Sequence, residues 1–231
     1  MNKKELAKQI IYRLERYYGK KRTVTLDYTT PWELLTATIL SAQCTDKRVN
    51  TVTPFLFSKY PDASSMAKAN ISDVEKIIHS LGFYRAKAEN IVYMSKDIQD
   101  KFKGEVPRTL KELTSLSGVG RKTANVIRGN IFNDPSIVVD THVKRVSKRM
   151  GLTTNTDPTK VEIDLMKILP KENWIQWNVW IITLGRSFCS ARKPECEKCP
   201  IEDICPKIMY CLLYTSPSPR DRTRSRMPSS A

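Results

Sequence analysis

The side chains best suited to chemistry in this sequence are one lysine, one aspartate and a group of four cysteines. Lys122 follows the run Leu116-Ser117-Gly118-Val119-Gly120-Arg121 and precedes Thr123-Ala124. An amine that has lost its proton adds to an electrophilic carbon and forms a Schiff base. Eighteen residues on, Val138-Val139-Asp140-Thr141-His142-Val143 offers a carboxylate that could exchange that proton. Each residue alone has a plainer reading: Lys122 as a solvated cation, Asp140 as a helix N-cap. Cys189, Cys196, Cys199 and Cys205 have the spacing C-x6-C-x2-C-x5-C. Four thiolates in so short a loop suit zinc or a [4Fe–4S] cluster. Zinc ligands usually come as two close doublets, and here only Cys196 and Cys199 form one. The spacing therefore favours a cluster without deciding against zinc, and disulfides are disfavoured in a reducing compartment.

The glycines before Lys122 supply its setting. Gly118 and Gly120 flank one apolar residue, so the backbone can turn tightly and approach a partner closely. Free N–H groups at the start of the next helix can then hold a phosphate. Leu116 and Val119 serve as apolar anchors. The run looks like a helix-hairpin-helix, a grip on the DNA backbone that reads no sequence. Gly118, Val119, Gly120 and Arg121 are its candidate DNA-contacting residues. A plain helix–turn–helix connection is the alternative.

Charge agrees with a polyanionic partner. Of 231 residues, 39 are Lys or Arg and 24 Asp or Glu, a net charge of +15. Each phosphate such a surface neutralises releases a condensed counterion. The segment 210–231 is rich in Ser, Pro and Arg, has no periodic apolar face and is expected to be disordered. It resembles translated adapter sequence, a non-native extension. Its four arginines and one aspartate account for three units of charge, and +12 remains without it. No apolar run reaches the length of a membrane span, and Met1 to Lys21 lacks a secretory apolar core. The expected location is intracellular, in the cytoplasm or nucleoid.

The elements that must place these groups read as helices. Leu6, Ile10, Leu14 and Tyr18 mark one face of an N-terminal helix. Thr30-Pro31-Trp32-Glu33 and Ser72-Asp73-Val74-Glu75 read as capping boxes, with Gly82 closing the second helix. Further helices are expected over 85–102, from Thr109, over 121–128, from the Asp140 cap to Met150, from Asp157-Pro158, and from Glu172 to a Gly185 stop. Ile137-Val138-Val139 alone has strand character. Trp174, Trp177 and Trp180 form a packing stripe. His79 and His142 lack second ligands and are not metal sites, and Cys44 reads as a buried structural thiol. The fold class is all-α.

Taken together, Leu40-Ser41-Ala42-Gln43-Cys44-Thr45-Asp46, Leu116 to Asn125, Val139 to Arg145 and the four-cysteine loop resemble the endonuclease III family of DNA glycosylases/AP lyases. The similarity covers about residues 1–209, in the family order. It implies a two-domain helix-hairpin-helix glycosylase fold. A six-helix barrel would occupy 24–135 with the hairpin at about 110–130. An iron–sulfur cluster domain would combine 1–23 with 136–209. It implies Lys122 as the amine attacking C1′ of a damaged nucleoside and Asp140 as its proton partner, on opposite walls of a DNA-binding cleft. Base loss, a Schiff base and β-elimination would follow. Cys189, Cys196, Cys199 and Cys205 would bind a [4Fe–4S] cluster. Gln43 would enter the space left by the flipped base. Phe83, in Leu81-Gly82-Phe83-Tyr84, would wedge from the other side. The family more often has an aliphatic residue there, and core packing is an equal alternative for Phe83. The implied partner is double-stranded DNA carrying an oxidised pyrimidine or an abasic site, met by a monomer away from membranes. Two rivals stand beside this reading: a mismatch-specific adenine glycosylase of the same superfamily, and a non-catalytic DNA-binding module stabilised by the cluster.

Overall fold

The computed structural model of the chain describes residues 2–20 and 25–208. Those residues form eleven α-helices and no strand. The helices are α1 (Lys3–Tyr18), α2 (Pro31–Leu40), α3 (Asp46–Lys59), α4 (Ala63–Ala67), α5 (Ile71–Ile78), α6 (Tyr84–Phe102), α7 (Leu110–Leu113), α8 (Arg121–Ile131), α9 (Thr141–Arg149), α10 (Pro158–Ile168) and α11 (Trp174–Ser187). The tail expected to be disordered, with Cys211, lies outside the described residues.

Two apolar cores organise them. Helices α2 to α8 enclose the first, through residues such as Leu34, Leu40, Leu56, Ile78, Ile91 and Ile127. The second joins α1 to α9, α10 and α11 through Leu14, Val146, Leu165, Trp177 and Ile181. The N-terminal helix thus packs with elements more than 120 residues away in sequence, as in the contact of Trp180 Nε1 with the Gly19 carbonyl (2.8 Å). The tryptophan stripe is core: Trp177 and Trp180 are fully buried.

Local signals explain most helix starts. Thr30 caps α2, Pro31 fills its first position, and the nearly buried Glu33 carboxylate accepts from Thr29 Oγ1 (2.7 Å) and Thr30 N (3.2 Å). Asp157 caps α10 and Asp140 caps α9 through Val143 N (2.7 Å). Other expectations are corrected. Helix α5 is capped by Asn70, whose Oδ1 accepts from Ser72 N (3.0 Å), so Ser72 lies inside the helix. It ends at a His79 cap, with Gly82 beyond it. Helix α11 runs past Gly185 to Ser187. A Cβ at Gly185 would come within 2.8 Å of His142 Nδ1, so the glycine serves close packing of α11 on α9. The 137–139 run is an extended connection between α8 and α9, with Val138 N bonded to Asn178 Oδ1 (3.0 Å).

Candidate active site and cysteine loop

The hairpin is built as its glycines require. Gly118 sits at φ +71°, a conformation that L side chains resist, and a Cβ there would meet the Asn90 side chain at 2.7 Å. Ser117 N and Oγ donate to Asp97 Oδ2 (3.0 and 2.8 Å), tying the turn to α6. Lys101 Nζ adds a third bond, to Asp97 Oδ1 (2.6 Å), and together the three hold the half-buried Asp97 carboxyl below its ordinary range against the opposing effect of burial. Val119 is an anchor, 6% exposed, so only its backbone can face a partner. Gly120 caps α8 without a side chain, leaving the first N–H groups of that helix open.

Lys122 follows in the first turn of α8, exposed to solvent. It shares a cleft of about 300 Å³ with Asp140, together with Ser41, Cys44, Asn125, Asn178 and Arg186. That volume is at the lower end of the ~300–1,000 Å³ typical of ligand sites. Lys122 comes from a helix packed in the first core and Asp140 from the cap of a helix packed in the second. The cleft thus lies where the two cores meet. Cys44 is half-buried on this wall, so it faces the cleft where a buried thiol was expected.

Gln43 and Phe83 share a neighbouring groove with Lys87, Asn90, Gly118 and Thr123. Phe83 is 67% exposed, which removes core packing as its role. Lys87 was not singled out from the sequence. It is buried, burial pushes its pKa down, and its amine has no hydrogen-bond partner among the described residues.

Arg121 has a partner within the fold. Its guanidinium forks onto Glu162 of α10, with Nε to Oε2 at 2.7 Å and Nη2 to Oε1 at 3.1 Å. The hydrogen bonds it donates to Glu162 raise the Arg121 pKa above its ordinary value. Asn125 Nδ2 donates to the same Glu162 Oε1 (3.0 Å). Glu162 and Asn125 carry no local sequence signal: the partners stand 41 and 37 residues apart and meet only in the fold.

All four loop cysteines line one cavity, whose other walls include Val146, Met150, Leu184, Phe188 and Ile201. The four thiols border this cavity from several sides of the loop and the adjoining helices. Soft sulfur donors around an apolar space fit a multinuclear iron–sulfur cluster. Burial pushes the Cys199 thiol up to about 11 and raises that of Cys205 as well. Arg149 Nη1 donates to Cys189 Sγ (3.3 Å) and Ser190 O (2.6 Å), and Arg145 Nη2 to Cys189 O (3.0 Å), fastening the loop to α9. His79 rests beside the Tyr84 ring and His142 against Arg145 (3.2 Å), both outside this cavity.

A helical fold with a glycine hairpin, and a lysine just beyond it that lines one cleft with an aspartate, matches a helix-hairpin-helix DNA glycosylase. Residues 36–171 match the family described as HhH-GPD superfamily base excision DNA repair protein, and residues 189–205 match the iron–sulfur binding domain of endonuclease III. Endonuclease III of Synechocystis sp. is 49% identical over 206 residues, 89% of this chain and 94% of that protein. The Escherichia coli K12 enzyme is 40% identical, covering 79% and 87%. A solved non-covalent endonuclease III–DNA complex superposes with a TM-score of 0.81 at 41% identity, covering 90% of this chain and 96% of the other. The chain belongs to the endonuclease III family. It is a base-excision-repair DNA glycosylase and AP lyase that carries a [4Fe–4S] cluster. No described helix is long and apolar enough to cross a membrane.

Proposed function

We propose that Lys122 is the nucleophile and Asp140 its proton partner, acting as a monomer on double-stranded DNA that carries an oxidised pyrimidine or an abasic site. The observation that carries this reading is that the two residues, held by different cores, line one cleft. The Lys122 amine bonds to C1′ as the glycosidic bond breaks and the base departs. Asp140 accepts the proton the amine sheds and offsets positive charge developing at C1′. The sugar ring then opens as the C1′–O4′ bond breaks and O4′ takes up a proton, and the Schiff base so formed acidifies the C2′ hydrogen. Loss of that proton expels the 3′ phosphate and nicks the strand.

The nucleotide must first leave the stack, which costs a few kcal/mol and least for a damaged base. Gln43 and Phe83, exposed on one groove, are suited to fill the gap. The open N–H groups of the Gly118–Gly120 turn hold the backbone nearby. The two cores support a division into a hairpin-bearing domain over about 24–135 and a cluster domain combining 1–23 with 136–209. Cys189, Cys196, Cys199 and Cys205 hold the cluster, which stiffens the basic loop carrying Arg192, Lys193 and Lys198. A duplex with a single thymine glycol tests the substrate class. Release of the free base with strand cleavage is expected, and cleavage confined to abasic sites would refute it.

A further inference from the structure

Glu162 lies on α10, in the second core, and its side chain is only 6% exposed. It receives three hydrogen bonds, all from the helix that carries Lys122. Arg121 supplies two as a planar fork, and Asn125 supplies the third. A two-point fork fixes rotation as well as distance, which a single contact cannot. The residues it grips bracket Lys122, one before it and one three after.

The same network reaches Asp140. Asn125 Nδ2 also donates to Ile137 O (3.2 Å), three residues before Asp140. Ser136 Oγ donates back to Asn125 O (2.7 Å). Asn178 of α11 holds the connection from its other side through Val138 N. One buried carboxylate thus joins the nucleophile's helix to α10, and Asn125 joins that helix to the segment that delivers the proton partner.

The Arg121 side chain is 42% exposed, but the Glu162 carboxylate is buried, and burying a charge in an ion pair is a poor route to stability because desolvation offsets much of the attraction; its best-attested use is to fix register. The register here is that between the two walls of the cleft. We propose that Glu162 is a positioning residue for the glycosylase and lyase steps. Through Arg121 and Asn125 it aims the first turn of α8 so that Lys122 faces Asp140, and Arg121 serves this pairing in place of a DNA phosphate contact. The inference rests on Lys122 being the nucleophile.

The test uses Glu162→Gln, Arg121→Gln, the double variant and Arg121→Lys, each loaded with its cluster. Two quantities are measured: the single-turnover excision rate at saturating enzyme, and affinity for duplex with a non-cleavable tetrahydrofuran abasic site over a range of salt. Either single variant should lose on the order of 10–100-fold in saturated rate, the scale of a small misplacement of reacting groups. The double variant should lose no more than the worse single one. Arg121→Lys keeps the charge without the fork and should not restore the rate. Affinity and its salt slope should stay as in the parent.

A normal saturated rate in Arg121→Gln, with weaker binding and a salt slope smaller by about one, would make Arg121 a phosphate contact and overturn the proposal. A lowered melting temperature with an unchanged saturated rate would reduce the pair to a structural clamp and overturn it as well. Borohydride trapping of the parent protein separates the two levels. An adduct on a residue other than Lys122 sinks the nucleophile assignment, whereas an adduct on Lys122 with additive rate losses sinks only the role of Glu162.

Discussion

Gln43 and Phe83 both hold left-handed backbone conformations, φ +53° and +60°, and both border one groove. Non-glycine residues adopt this region at a cost of about 1–3 kcal/mol each, and such strain concentrates where function requires it. Phe83 gains little in return, being 67% exposed at the start of α6 with no side-chain cap.

The strain makes a two-part prediction for Phe83. Phe83→Gly removes the steric penalty and loses little burial, so it should raise stability by roughly 1 kcal/mol. It also removes the wedge, so excision of a paired lesion should fall by about 10–100-fold, the equivalent of part of the flipping cost. Cleavage at an abasic site opposite a gap should change much less. Thermal melts and paired-versus-unpaired substrates check this together, and parallel losses on both substrates would contradict the wedge.

Gly185→Ala should destabilise the second core. The new methyl would sit 2.8 Å from His142 Nδ1 and 3.1 Å from Arg145 Nη2, forcing α11 away from α9 at a cost of about 1–3 kcal/mol. Arg145 also holds the Cys189 carbonyl, so the cluster's visible absorbance should bleach faster on heating. An unchanged melting temperature would show that the helices are not in close contact.

His142 gives stability a pH dependence of definite sign. Burial pushes its pKa below the ordinary 6.5, with Arg145 and Arg186 acting the same way and Asp140 opposing them. The unfolded chain therefore binds a proton more readily than the folded one. Stability due to this group is complete above about pH 6.5 and falls as pH drops from there through the depressed folded value. Urea midpoints of the parent and His142→Asn between pH 5 and 8 should converge at the acid end and separate at the alkaline end. A parallel offset at every pH would rule out the linkage.

Iron removal should act locally. Cys199, at about 11, and Cys205 are held as thiols by burial, so loading the site must release protons, and reconstitution should slow as pH falls. In the iron-free protein, amide exchange should rise over 188–208 while α2 to α6 stay protected. Exchange rising equally across both cores would contradict a local role.

Much of the site was legible because its signals are local. The Gly118-Val119-Gly120 turn, the Asp140 cap and the cysteine spacing each lie within a short window, and each forms as that window implies. The misreadings differ in cause. Gly185 reads as a helix stop until α9 is seen against it, and Ser72 reads as the cap of a helix that Asn70 in fact caps. Helix α3 drew no expectation from sequence; Pro54 lies inside it, and Thr45 caps its start. Long-range packing decides the case of Gly185, and one residue's neighbours in sequence do not contain it.

The central claim is that Lys122 forms the covalent intermediate across the cleft from Asp140. Borohydride reduction during reaction with a duplex containing an abasic site tests it most directly, with the adduct located by peptide mass mapping. The account predicts one stable protein–DNA adduct at Lys122, absent in Lys122→Ala and formed far more slowly in Asp140→Asn. No adduct, or an adduct that persists in Lys122→Ala, would contradict it.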